Sequence, residues 1–234
     1  MKKIFLVLFM SLCLMFAVGC GSKGEEIKRE EAVALLSNID NVEVPDSGIT
    51  MEVKVKNSKG DFTAKVVYSK EKHIAYSLMK DEDSTEEAWV YVQDNKLVMA
   101  LRIVDGEEIK SYNEIEVTEG TLDTQFAVFG KSVEALLDFK GMISTVLNPI
   151  TSLNEATEED TITKEKYYSN GEENLTAEVS ATLDGEEIVM IASIDKGIVK
   201  SLSYKSIETT MEMKISFTAS IKKPSIDDTW TKGF

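Results

Sequence analysis

From Ile49 onward the chain takes up a two-residue period. Ile49, Met51, Val53 and Val55 are apolar, and Thr50, Glu52, Lys54 and Lys56 between them are polar. Successive side chains of a strand point to opposite faces, whereas a helix would scatter these residues around its circumference. The alternation therefore predicts a half-buried strand. Similar segments follow at 62–69, 73–79, 88–93, 97–104 and 108–113, and again near 162–168, 175–183, 187–194, 198–206 and 211–221. Between them stand Asn57-Ser58-Lys59-Gly60, Asp94-Asn95, Asp105-Gly106, Asn170-Gly171, Asp184-Gly185 and Lys196-Gly197. Such residues accept the positive φ angles of tight hairpins. The pattern is thus six strands, an interruption and five strands.

Two stretches depart from this period. Lys28 to Asn38, continuing to Ile39, spaces Ala32, Leu35, Leu36 and Ile39 as a helix does, with acidic residues in the first turn where the helix dipole favours them. Phe126 to Asn148 places Val133, Leu136, Leu137, Ile143 and Leu147 on one stripe, widened by Phe139, Met142 and Val146. Ser132 suits an N-cap, and Pro149 lies just past the end. Short connections favour antiparallel pairing, and eleven twisted strands tend to curl, close or split. Leu97 to Val104 is apolar on both faces, as is Ala88 to Val92, so something apolar must cover the second face locally. The fold class read from the chain is α+β: an open, curled antiparallel sheet of about eleven strands, a half-barrel, with an N-terminal helix and a helical insert over its concave face.

The first twenty residues carry a separate message. Lys2 and Lys3 precede an uncharged, mostly apolar run from Ile4 to Val18. That run is an export signal, too short for an ordinary span of a hydrocarbon core about 30 Å thick. Ala17-Val18-Gly19-Cys20 resembles a bacterial lipobox. The resemblance implies cleavage before Cys20 and a diacylglycerol on its sulfur, so that palmitate-class acyl chains hold the protein to a membrane. One acyl chain holds only marginally, and two or more make release negligible. The other reading is an ordinary secretory signal with a chance cysteine. The expected division is 1–19 signal peptide, 20–27 lipidated Cys20 and short tether, and 28–234 a single domain. Cys13 leaves with the signal, so no intramolecular disulfide is available to the exported chain.

The formal charge is −15, and loss of Lys2 and Lys3 makes the exported body more negative still. Such a surface repels phosphate backbones, which argues against nucleic acid, and repels anionic headgroups, which leaves anchoring to the covalent lipid. Arg29 and Arg102 are the only arginines. That bias towards lysine is typical of an AT-rich genome and points to the outer face of a Gram-positive plasma membrane.

In element order, residues 28–234 resemble the superfamily of LolA, LolB and the mycobacterial LppX-like lipoproteins. The resemblance implies an eleven-stranded half-barrel that carries acyl chains between sheet and helices. On that reading the cavity lining is Trp89, Tyr91, Met99, Leu136, Phe139 and Ile143; Met51, Met79, Met99, Met142, Met190, Met211 and Met213 suit a soft apolar pocket, the other reading being core filling. Catalysis has little to stand on. His73 is the sole histidine, no Gly-x-Ser-x-Gly elbow occurs, and one His with two Cys cannot build a multi-ligand zinc site. The acidic groups at Asp81, Glu82, Asp83, Glu86 and Glu87, at Glu158 to Asp160, and at Asp227 and Asp228 read as solvated loops rather than metal sites. No cofactor is implied. The expected function is an extracytoplasmic, membrane-anchored, non-catalytic lipoprotein that binds a lipid or another hydrophobic ligand. The alternative is an envelope scaffold or accessory interaction module with a filled core.

Overall fold

The two-residue period is realised as one open sheet. A computed structural model of the chain describes residues 24–37, 44–137, 139–152, 159–171, 174–183, 185–195 and 198–233. Cys20 and the signal segment lie outside the described residues. The strands of the first group are β2 (Ile49–Asn57), β3 (Gly60–Ser69), β4 (Ile74–Lys80), β5 (Ser84–Gln93), β6 (Lys96–Asp105) and β7 (Glu107–Glu116). Those of the second are β8 (Thr161–Ser169), β9 (Leu175–Leu183), β10 (Glu186–Asp195), β11 (Ile198–Lys205) and β12 (Thr209–Ser216). Turn chemistry matches the joints: Asp94 and Asn95 have φ of 51° and 59°, and Gly106 has φ of 69°.

Two short strands finish the margins. β1 (Glu25–Ile27) pairs with β8, and β13 (Thr231–Lys232) runs parallel to β7. The order is β1-β8-β9-β10-β11-β12-β2-β3-β4-β5-β6-β7-β13. All main pairings are antiparallel, and β12 pairs with β2 at the centre. The two margins are therefore held by β7 and β8, which are consecutive strands in the chain. The segment linking them must cross from one margin to the other.

That crossing carries α2 (Glu119–Leu136), α3 (Phe139–Leu147) and a 3-10 turn at Pro149–Ser152; α1 (Arg29–Ser37) precedes the sheet. The structure begins the insert earlier than its apolar stripe predicts and breaks it near Leu137. Ser132 is no cap: its Oγ donates to the Val128 carbonyl at 3.2 Å inside α2. Thr118 holds the N-cap position instead. Glu25–Ile27, within the segment read as a tether, adds a strand to β8. The last strand ends at Ser216 rather than near residue 221, because the chain then leaves the sheet plane.

Alternation sorts the apolar residues onto two faces. On the inner face Ile49, Tyr68, Leu97, Met213, Ile215 and the alternate apolar residues of β9 and β10 join Ala32, Phe126, Leu137 and Val146 of the helical segments in one cluster. On the outer face Val67, Ile74, Trp89, Tyr91, Val98 and Ala100 pack with Ala219. Ile221, Ile226 and Trp230 of the C-terminal tail lie against that second cluster. The tail, not a helix, covers the outer face of the first strand group.

Candidate functional site

The inner face is unevenly covered. α2 packs on β3, and α3 packs on β9, β10 and β11. Docking on β3 is at its Tyr68 end, where the Tyr68 hydroxyl donates to the Phe126 carbonyl. Burial pushes the Tyr68 phenol up to about 12, with Asp46 and Glu134 adding to the shift. Nearby, His73 Nε2 lies 3.1 Å from Asp123 Oδ1 and its ring meets Phe126 edge-on at 5.3 Å. The sole histidine thus fastens the start of α2 to the β3–β4 turn.

At the opposite end of these strands the inner face stays open. Register places Val53, Ala64, Met79, Glu86, Ile103 and Ile109 in one row across β2 to β7. Met79 is 48 % exposed and Ile109 58 %, and Phe62, one step further along β3, is 37 % exposed. Leu101, Ile103 and Met99 are half-buried beside them. Large apolar side chains that share a face with the core yet remain wet form a surface that favours an apolar occupant. Glu86 stands exposed within the row, its carboxylate among alkyl groups.

The outer face holds a different site. A groove of about 510 Å³ lies between the tail and strands β3 to β7. Trp89 and Tyr76 lie on its sheet side, ring centres 5.5 Å apart, and Trp230 from the tail meets Trp89 edge-on at 6.4 Å. Around them runs a charge network. Arg102 Nη1 donates to Glu87 at 2.8 Å and Nε to Glu108 at 2.7 Å, and the Tyr76 hydroxyl donates to Glu87 at 2.9 Å. Lys110 and Arg102 hold the Glu108 carboxyl below its usual range, and burial together with Glu87 raises the Tyr76 phenol. On the other side of the tail a second groove of about 570 Å³ runs past Tyr91, Lys96, Tyr112 and Glu114.

Of the six residues proposed as one lining, the three whose side chains are described do not come together. Trp89 and Tyr91 lie on the outer face under the tail, and Met99 lies on the inner face. The reason is strand parity: Trp89 pairs with Ala100 and Val90 with Met99, so neighbours in sequence are divided by the sheet. The side chains of Leu136, Phe139 and Ile143 lie outside the described residues. Phe62 and Ile109 were missed, and Met79 was singled out only as one of seven methionines; the signal for the first two was an apolar residue at a strand end beside charged neighbours. Of the acidic groups read as solvated loops, Asp81 closes its own loop, accepting from the backbone N–H of Asp83 at 2.9 Å and of Ser84 at 2.6 Å, which lowers its pKa; Glu86 and Glu87 instead lie in β5, and Asp160 is buried. Among the described residues no helix is long and apolar enough to cross a membrane. Compared with protein-family models and with curated proteins, the chain matches none.

Proposed function

We propose that this protein is an extracytoplasmic lipoprotein, anchored through Cys20, whose half-barrel binds a neutral acyl lipid on its inner face without catalysis. The single observation that supports the reading is the wet apolar row at Phe62, Met79 and Ile109, on the same face as the helix-packed core. Each methylene removed from water there contributes about 0.8 kcal/mol, so an acyl chain laid along the row gains enough to bind. Glu86 selects against free fatty acids, whose carboxylate it repels, and favours acylglycerols or neutral glycolipids. In this reading the insert between β7 and β8 covers part of the concave face and leaves the rest for the ligand.

The test is native mass spectrometry on a soluble chain that starts after Cys20, purified without detergent and incubated with monoacylglycerol. Stoichiometric uptake is expected. Met79→Lys with Ile109→Lys should weaken it at least about tenfold, equivalent to about 1.4 kcal/mol, with little change in thermal stability because both side chains are exposed. Protein that stays empty under all these conditions favours the scaffold reading instead.

A further inference from the structure

We infer that the outer-face groove beneath the C-terminal tail is a second binding site, for an anionic carbohydrate: a sugar ring carrying a phosphate or carboxylate group. Charge comes first. The lining holds five cationic side chains against two carboxylates, Glu87 and Asp227, on a chain of formal charge −15. Positive charge gathered in a cleft of an acidic protein attracts and retains anions. Arg102 is committed to Glu87 and Glu108, but Lys65 and Lys222 make no ion pair among the described residues. Those two ammonium groups are free to take a ligand's negative group.

The rest of the lining describes the body of the ligand. Trp89, Tyr76 and Trp230 offer aromatic surface to the apolar C–H face of a ring. Glu87, Asp227 and the hydroxyls of Ser220 and Ser225 are acceptors for ligand hydroxyls. An acyl chain has no use for these acceptors, and inorganic phosphate has none for the aromatic wall. The Trp89 indole N–H adds an independent sign. Trp89 is only 6 % exposed, and its Nε1 is buried with no hydrogen-bond partner among the described residues. A buried donor left unpaired costs free energy until an acceptor reaches it. This site lies across the sheet from the inner-face row and stands whether or not that row binds lipid.

The protein carries its own reporter. It has two tryptophans, and both line this groove. The full chain, purified from membranes in neutral detergent, is titrated with glucose 6-phosphate, glucuronate, glucose and inorganic phosphate while tryptophan emission is followed. The two anionic sugars should change the emission saturably, more weakly as salt is raised, and glucose or phosphate alone should bind at least about tenfold less tightly. Lys65→Glu should lower anionic-sugar affinity at least about tenfold with thermal stability unchanged, and Ser220→Ala with Ser225→Ala should weaken sugar binding with the salt dependence retained. An emission that ignores both anionic sugars at millimolar concentration overturns the proposal. So does undiminished affinity in Lys65→Glu, or a response confined to phosphatidylglycerol vesicles, which would make the ligand a lipid headgroup.

Discussion

Tyr68 shows how one side chain fixes the position of a helix. It lies on the inner face of β3, and its hydroxyl bonds the Phe126 carbonyl 58 residues further along the chain. A phenol buried this way favours its neutral form, so its pKa rises from 10.0 to about 12. The sign follows directly: the stabilisation is complete below pH 10, and it fades as pH climbs through about 12. Tyr68→Phe should cost about 1 kcal/mol by denaturant titration, the net worth of a typical hydrogen bond. In an alkaline absorbance titration the same variant should lose a late-ionising tyrosine. An unchanged midpoint together with an unchanged titration would contradict this role. Strand periodicity placed Tyr68 in a strand, but its partner in the insert was not readable, because no local pattern links residues so far apart.

At the scale of the element, α2 is placed by what it lacks. Gly130 sits in its interior, where glycine costs about 1 kcal/mol relative to alanine. A Cβ there would stand 2.7 Å from the Tyr68 hydroxyl, so the glycine lets helix and sheet approach. Gly120, in the same helix, meets nothing within 4 Å. Gly120→Ala should therefore stabilise by about 0.4–1 kcal/mol, whereas Gly130→Leu should destabilise by about 1–3 kcal/mol through overpacking. Thermal melts of the two variants decide the matter, and equal shifts would refute the close approach. The main strands were readable, most to within a residue or two, because alternation and turn residues are local; β5 nevertheless begins at Ser84, β12 stops at Ser216, and the short β1 and β13 gave no period to read. The insert was not: its start at Glu119 and its break near Leu137 are set by the path between two sheet margins. The tail was partly readable. Trp230 stands as a large apolar side chain among Asp227, Asp228 and Lys232, which suggests an anchor, but the strand period does not disclose that residues 217–230 leave the sheet to cross Trp89 and Tyr91.

The whole molecule has two unlike ends. β1 enters beside Ser169, at the end of the sheet that also holds the Asp94-Asn95 turn. The far end carries Asp81, Glu82, Asp83, Asp105, Glu107 and Glu208 in its loops. Gly24 stands four residues after Cys20, a reach of about 14 Å at most, so a lipid on Cys20 would hold the Asn170 corner near the bilayer and leave the loops at 81–83, 105–107 and 208 pointing away from it. Fluorophores on cysteines introduced at Asn170 and Glu187 test this on proteoliposomes. Quenching by bilayer-embedded nitroxides should be strong at the first and weak at the second, and the reverse order would reject the orientation. The sequence by itself determined the strands, the hairpins, the antiparallel pairing within each strand group and the acidic surface, because each follows from neighbours a few residues apart. Only the tertiary structure decided which face each apolar set serves: it joined β12 to β2, sent the insert across the inner face, and laid the tail over Trp89 and Tyr91. Strand parity offers two faces without saying what will cover either one, and that choice depends on contacts between residues far apart in the chain, such as the 58 positions between Tyr68 and Phe126 and the 141 between Trp89 and Trp230.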